Sequence, residues 1–127
     1  MKKILVPTDF SPCANNAAEL ALKIAQKANA RVEFLHILMT PIDWVKLDIQ
    51  KEDRYPEIKK QIGHAKAELG QWVKRAKELG VTGVKVISFT QGNEEIVNHA
   101  QNHGHDLIVM GSHGASGLKE LVMGSNA

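Results

Sequence analysis

Cysteine is nearly absent from this 127-residue chain, Cys13 being the only one. An internal disulfide is therefore excluded, a cysteine-built zinc site cannot be assembled, and the expected compartment is the reducing cytoplasm. Aromatic residues are few as well, three Phe, two Trp and one Tyr, which leaves little material for a platform that stacks bases. Neither sign of charge is in excess, since 16 Lys and Arg stand against 14 Asp and Glu for a formal net charge of +2. The basic residues are scattered from Lys2 to Lys119, with guanidinium groups only at Arg31, Arg54 and Arg75. Nucleic acid is not an expected partner, because non-specific binding needs a clustered phosphate-facing patch. Long hydrophobic runs are also missing. The apolar stretch behind Lys2 and Lys3 stops at Pro7, too short for a secretory segment, and no window approaches the roughly 18 apolar residues of a membrane span. No membrane partner is expected.

What the sequence does contain is a regular change of hydrophobic period. Residues 3–7 form a short apolar run without polar alternation, as expected of a strand buried on both faces. Ser11 then offers a helix cap and Pro12 a proline at the first helical position, followed by alanines and Leu22 at helical spacing as far as Ala28. Residues 31–38 read as a second strand. The pattern is lost between Met39 and Tyr55, apart from a short turn of helix expected around Trp44 to Leu47. From Pro56 a helical stripe runs through Ile58, Ile62, Ala65, Leu69, Trp72, Val73, Ala76 and Leu79 to a stop at Gly80. Residues 84–89 are a third strand, Asn93 caps a shorter helix ending near Gly104, and residues 106–110 are a fourth strand.

Strands alternating with helices imply an α/β domain, a doubly wound parallel sheet with right-handed crossovers and helices on both faces. Ligands in such sheets bind outside the carboxyl ends of the strands. The loops following Pro7, Leu38, Thr90 and Met110 are thus where a site is expected. The last strand poses a problem, because residues 107–110 are apolar on both faces and nothing after them reads as a flanking helix and strand. Either the chain stops short of its final helix and strand, or another chain covers an edge that would otherwise aggregate.

After that strand come Gly111, Gly114, Gly117 and Gly124. Glycine lets backbone N–H groups approach an anion and adopt the conformations of an amide nest, so a phosphate cradle and a flexible surface loop stand at even odds on composition. Neither common phosphate signature is present: no Gly-x-Gly-x-x-Gly follows the first strand, and no Gly-x-x-x-x-Gly-Lys occurs.

Gly111-x-x-Gly114, nine residues and then Gly124-Ser125 resembles the signature of the nucleotide-binding universal stress proteins. The likeness extends to Val6-Pro7-Thr8-Asp9-Phe10-Ser11 after the first strand and to residues 107–114 at the fourth. It implies a single universal stress protein domain over residues 1–127, Rossmann-like and related to the adenine nucleotide alpha hydrolases. The family's five parallel strands run in the order 3-2-1-4-5; here the order expected is 3-2-1-4, with the last helix and fifth strand missing from the chain. The resemblance further implies adenine-nucleotide binding, ATP with or without Mg as the cofactor, and a homodimer or tandem pair. Carried over by position, Pro7, Thr8 and Asp9 hold adenosine, with the Asp9 carboxylate accepting from ribose hydroxyls. Ile37 lies beside the adenine, and Met110, Gly111, Gly114, Gly124 and Ser125 hold the phosphates.

Other residues have ordinary readings. His99, His103 and His105 fall at a helix end and a loop, comfortable near the negative end of the dipole, and no metal site is read from them. Ser112 and His113 are adjacent and do not make a nucleophile and base. Cys13 is a packing residue rather than a redox sensor, His36 a packed or hydrogen-bonded histidine, Trp72 part of the core and Lys119 a solvated side chain. No catalytic residue is identified. The expectation is a regulatory nucleotide-binding protein of stress response whose assembly or partner choice follows ATP. The alternatives are a slow ATP hydrolase or phosphoryl-transfer enzyme and a dimerisation module that binds no nucleotide.

Overall fold

The computed structural model describes residues 2–90, 96–114 and 117–124, of which 97, 98, 112–114 and 117–124 are described by their backbone. The elements, in chain order, are β1 (Lys3–Pro7), α1 (Pro12–Ala28), β2 (Arg31–Met39), a turn of 3-10 helix at Trp44–Lys46, α2 (Ile49–Glu52), α3 (Pro56–Glu78), β3 (Gly83–Thr90), α4 (Ile96–Asn102), β4 (Leu107–Gly114) and β5 (Gly117–Gly124). The sheet order is β3-β2-β1-β4-β5. Its first four strands are parallel, with Ile4 opposite Val32, Val32 opposite Gly83 and Ile4 opposite Leu107. Among the described residues no helix is long and apolar enough to cross a membrane.

Side chains alternate between the two faces of a strand, and the apolar composition of the central strands supplies both. Ile4, Val6, Val32, Phe34 and Val109 meet α1 and α3 on one face. Leu5, Leu35 and Ile108 meet Ala100 of α4 on the other. The buried side of α1 is mostly alanine, Ala14, Ala17, Ala18, Ala21 and Ala25, which brings its backbone close to the sheet. Ser11 caps α1 by accepting from the Ala14 N–H at 3.1 Å, and Asn29 closes it in the left-handed conformation at φ 54°. Trp72 packs against this core with its ring 5.9 Å from Phe34. The connection after β2 holds the expected short turn of helix and also α2, whose residues are not buried and leave no apolar period to read.

The β4 edge is not bare. The chain returns along it as β5, antiparallel, from Gly114 opposite Gly117 to Leu107 opposite Gly124. The expected parallel order 3-2-1-4 is present, and the edge expected to be bare or taken by another chain is instead covered by an antiparallel strand of the same chain. An apolar edge strand satisfies its backbone groups by pairing with a neighbouring extended segment, and a hairpin return is the shortest route to one. The glycine-containing segment therefore runs as paired strand on both sides of residues 115 and 116, which lie outside the described residues along with Asn93.

At the opposite end of the sheet, the Asp106 carboxylate accepts from the N–H groups of Lys2 at 2.9 Å and Lys3 at 3.0 Å. These two bonds hold its pKa below the usual carboxylate value. The start of β1 is thereby clasped to the start of β4.

Candidate functional site

The sheet reverses its winding between β1 and β4, and a crevice opens at the carboxyl ends of such strands. A cavity of about 300 Å³ lies there, with Leu35, Ile37, Ile96 and Met110 as apolar wall and Thr8, Asp9 and Ser11 as polar rim. Pro7 and Gly111 complete the part contributed by the two central strands. A concave apolar lining with a few convergent polar groups is the usual make-up of a small-molecule site.

The turn that supplies the rim is built by its own side chains. Thr8 is buried, gives its N–H to the Leu35 carbonyl at 2.8 Å and accepts the Phe10 N–H on Oγ1 at 3.0 Å. Asp9 is exposed and accepts the Ser11 N–H on Oδ1 at 3.0 Å. These bonds hold Phe10 at φ 66°, a conformation that bulky residues seldom adopt. The Thr8 carbonyl accepts from His36 Nδ1 at 2.9 Å, and the Phe10 ring stacks on that imidazole at 4.6 Å. His36 is thus a hydrogen-bonded histidine at the rim of the cavity, and Thr8 chiefly positions the turn.

Pro7, Thr8, Asp9, Ile37, Met110 and Gly111 are brought together around one cavity. Gly111 is there for a reason besides its amide: a Cβ on it would lie 2.7 Å from Cys13 Sγ and 2.9 Å from the Ala14 nitrogen. Cys13, buried to 1% exposure, forms the floor against which β4 packs, in keeping with a packing role. Gly114 lies further along β4, opposite Gly117. The register sets Gly124 opposite Leu107, at the start of β4, while Met110 faces Leu121. Ser125 lies outside the described residues, as do the side chains of Ser112, His113 and Lys119.

One buried polar cluster was missed in the sequence. Glu33 of β2 sets its Oε2 2.8 Å from His105 Nε2 in an ion-pair contact and accepts from His99 Nε2 at 3.4 Å, beneath α4. His103 stacks on His99 at 4.1 Å and donates from Nδ1 to the His99 carbonyl at 2.9 Å. Burial raises the Glu33 pKa, but the hydrogen bonds and charges of His105 and then His99 together outweigh it and leave the carboxyl below its usual value. The sole hint in the sequence was an acidic residue inside an apolar strand. Among the described residues no group of three His, Cys, Asp or Glu is placed to hold a metal ion.

An α/β sheet whose first four strands are parallel, with a crevice at its switch point rimmed by a strained Thr-Asp-Phe turn and a close-packed glycine, defines a doubly wound, Rossmann-like class of protein. The chain belongs to the universal stress protein family, whose model matches residues 1–127. It is 30% identical to the universal stress protein YxiE of Bacillus subtilis over 97% of this chain and 86% of that one. It is 32% identical to the universal stress protein MJ0577 of Methanocaldococcus jannaschii, over 98% of this chain and 84% of that one. The solved structure of MJ0577 superposes with a TM-score of 0.70 at 30% identity, covering 93% of this chain and 79% of that chain. An Arabidopsis thaliana family member with AMP bound shares the fold at a TM-score of 0.60 and 18% identity, covering 91% of this chain and 80% of that chain.

Proposed function

We propose that this protein is an adenine-nucleotide-binding regulator of stress response, in which ATP in the switch-point cleft biases assembly into a homodimer or the choice of a partner. The carrying observation is that Asp9 and Gly111, distant in sequence, line one cavity with an apolar wall of the right kind for a purine. Ile37 and Met110 offer contact to the base. The exposed carboxylate of Asp9 accepts from ribose hydroxyls, and charge-assisted bonds of that kind are the strong ones. The AMP found in a protein of the same fold is compatible with this reading, which rests on the cleft of this chain.

Titration with ATP while following thermal unfolding tests it. A ligand at a hundred times its dissociation constant adds about 2.7 kcal/mol of stability. Asp9→Ala removes a ribose acceptor, and the expected loss is about 1.5–3 kcal/mol of binding, roughly tenfold or more in Kd. ATP that produces no shift in the unaltered protein refutes the proposal.

A further inference from the structure

The Glu33 cluster sits behind the cleft and is joined to it by two elements. On β2, Glu33, Leu35 and Ile37 are two residues apart and therefore project from the same face. Glu33 belongs to the cluster, while Leu35 and Ile37 line the cleft. α4 repeats the arrangement: Ile96, His99 and Ala100 fall on one side of a helix of seven residues, with Ile96 in the cleft wall and His99 against Glu33. Along α4 the two ends are about one helical turn apart.

A helix this short is held mainly by its packing. Among the described side chains of α4, Ile96 and Ala100 supply apolar contact with Leu5, Leu35 and Ile108. A further anchor is His99, 7% exposed, whose Nε2 lies 3.4 Å from Glu33 Oε2. His105, 3% exposed, brings its own Nε2 to 2.8 Å from the same oxygen. Within the sheet Glu33 is flanked by Leu5 on β1 and Val84 on β3, neither of which titrates. Also facing the cluster or its rim are His103, stacked on His99, and Lys3, whose Nζ donates to the His103 carbonyl. Asp106 is bonded to the N–H groups of Lys2 and Lys3, and Arg31 is exposed on the same face of β2.

A carboxylate facing two neutral imidazoles keeps a largely buried negative charge that the rings do not compensate, whereas a proton on either ring compensates it. Imidazole is the side chain that ordinarily changes charge between about pH 5 and 8. We propose that this cluster is a proton-operated latch on the cleft: proton uptake draws His99, and α4 with it, onto β2, fixes Ile96 in the wall and tightens nucleotide binding. This rests on the adenine-nucleotide reading of the cleft.

Calorimetric titration of the full chain with ATP at about pH 6 and about pH 8 tests it when the parent is compared with two variants. Glu33→Gln keeps the size of the side chain and removes its charge. His99→Leu removes the arm of α4 and leaves His105 in place. The titrations of ATP itself and of Asp9 and His36 at the cleft are common to all three chains and cancel in the comparison. The preference for the lower pH is expected to be about fivefold larger in the parent than in either variant, the low end for coupling between sites. A preference that is unchanged or larger in either variant, in a chain with unaltered circular dichroism, overturns the latch and leaves the nucleotide reading standing. Absence of ATP binding to the parent at both pH values overturns both.

Discussion

Gly111 rests against Cys13 so closely that a single added carbon would lie 2.7 Å from its sulfur. The glycine motif thus serves packing as well as any ligand, because the N-terminal turn of α1 and the middle of β4 share the space a side chain would need. Gly111→Ala forces a shift of backbone or helix, and overpacking of this kind costs about 1–3 kcal/mol. Urea denaturation should show the lower midpoint without ligand present. A variant as stable as the parent would mean that the helix yields freely.

Phe10 offers the reverse experiment. A bulky residue in the left-handed region costs roughly 1–2 kcal/mol, and glycine there removes that cost. Phe10→Gly also deletes the ring stacked on His36, worth about 0.5–1.5 kcal/mol beyond its buried area. The ring is also partly buried against the core, and losing that burial outweighs the relieved strain, so the expected stability change is a net loss of about 1–3 kcal/mol, while ATP affinity falls as the turn carrying Asp9 loosens. Calorimetry against melting temperature reads the two separately, and unchanged affinity would show that the turn holds its shape without the ring.

Glu33 gives the fold an acid limit. Its folded-state pKa lies below the usual value of 4.5, so the unfolded chain takes up protons first as pH falls. The stabilisation from its bonds to His105 and His99 is present above pH 4.5 and is lost as pH drops through the folded value. Glu33→Ala leaves two buried imidazoles without their carboxylate and is expected to cost about 1.5–3 kcal/mol at neutral pH. It should also flatten the pH dependence of stability between neutrality and that acid range. A parallel downward displacement of the whole profile would assign the loss to packing alone.

Much of this architecture could be read in advance because the signals were local. Ser11 and Pro12 announce α1, the stripe from Ile58 to Ala76 announces α3, and the unbroken apolar runs at Ile4 and Ile108 announce central parallel strands. The meeting of Asp9 with Met110 and Gly111 was legible for the same reason, since parallel strands deliver their carboxyl ends to one side. What escaped was long-range or lacked a period. The pairing of Glu33 with His99 and His105 spans more than half the chain and is made by a fold, not by a spacing. The β5 hairpin escaped because glycines and scattered apolar residues after Met110 read equally well as loop, and only the unpaired edge of β4 turns them into strand. That register sets Gly124 opposite Leu107. Phe10 gave no warning, because strain is invisible in composition.

The clasp of Asp106 on the N–H groups of Lys2 and Lys3 makes the two central strands behave like scissor blades riveted near their handles. Their direct register, Ile4 with Leu107 and Leu5 with Ile108, is confined to the riveted end. A widening of the mouth around Pro7 and Met110 would thus leave this joint as its pivot, since the register between the two strands lies beside it. Loosening the rivet from outside would change how wide the blades open without any substitution in the cleft itself.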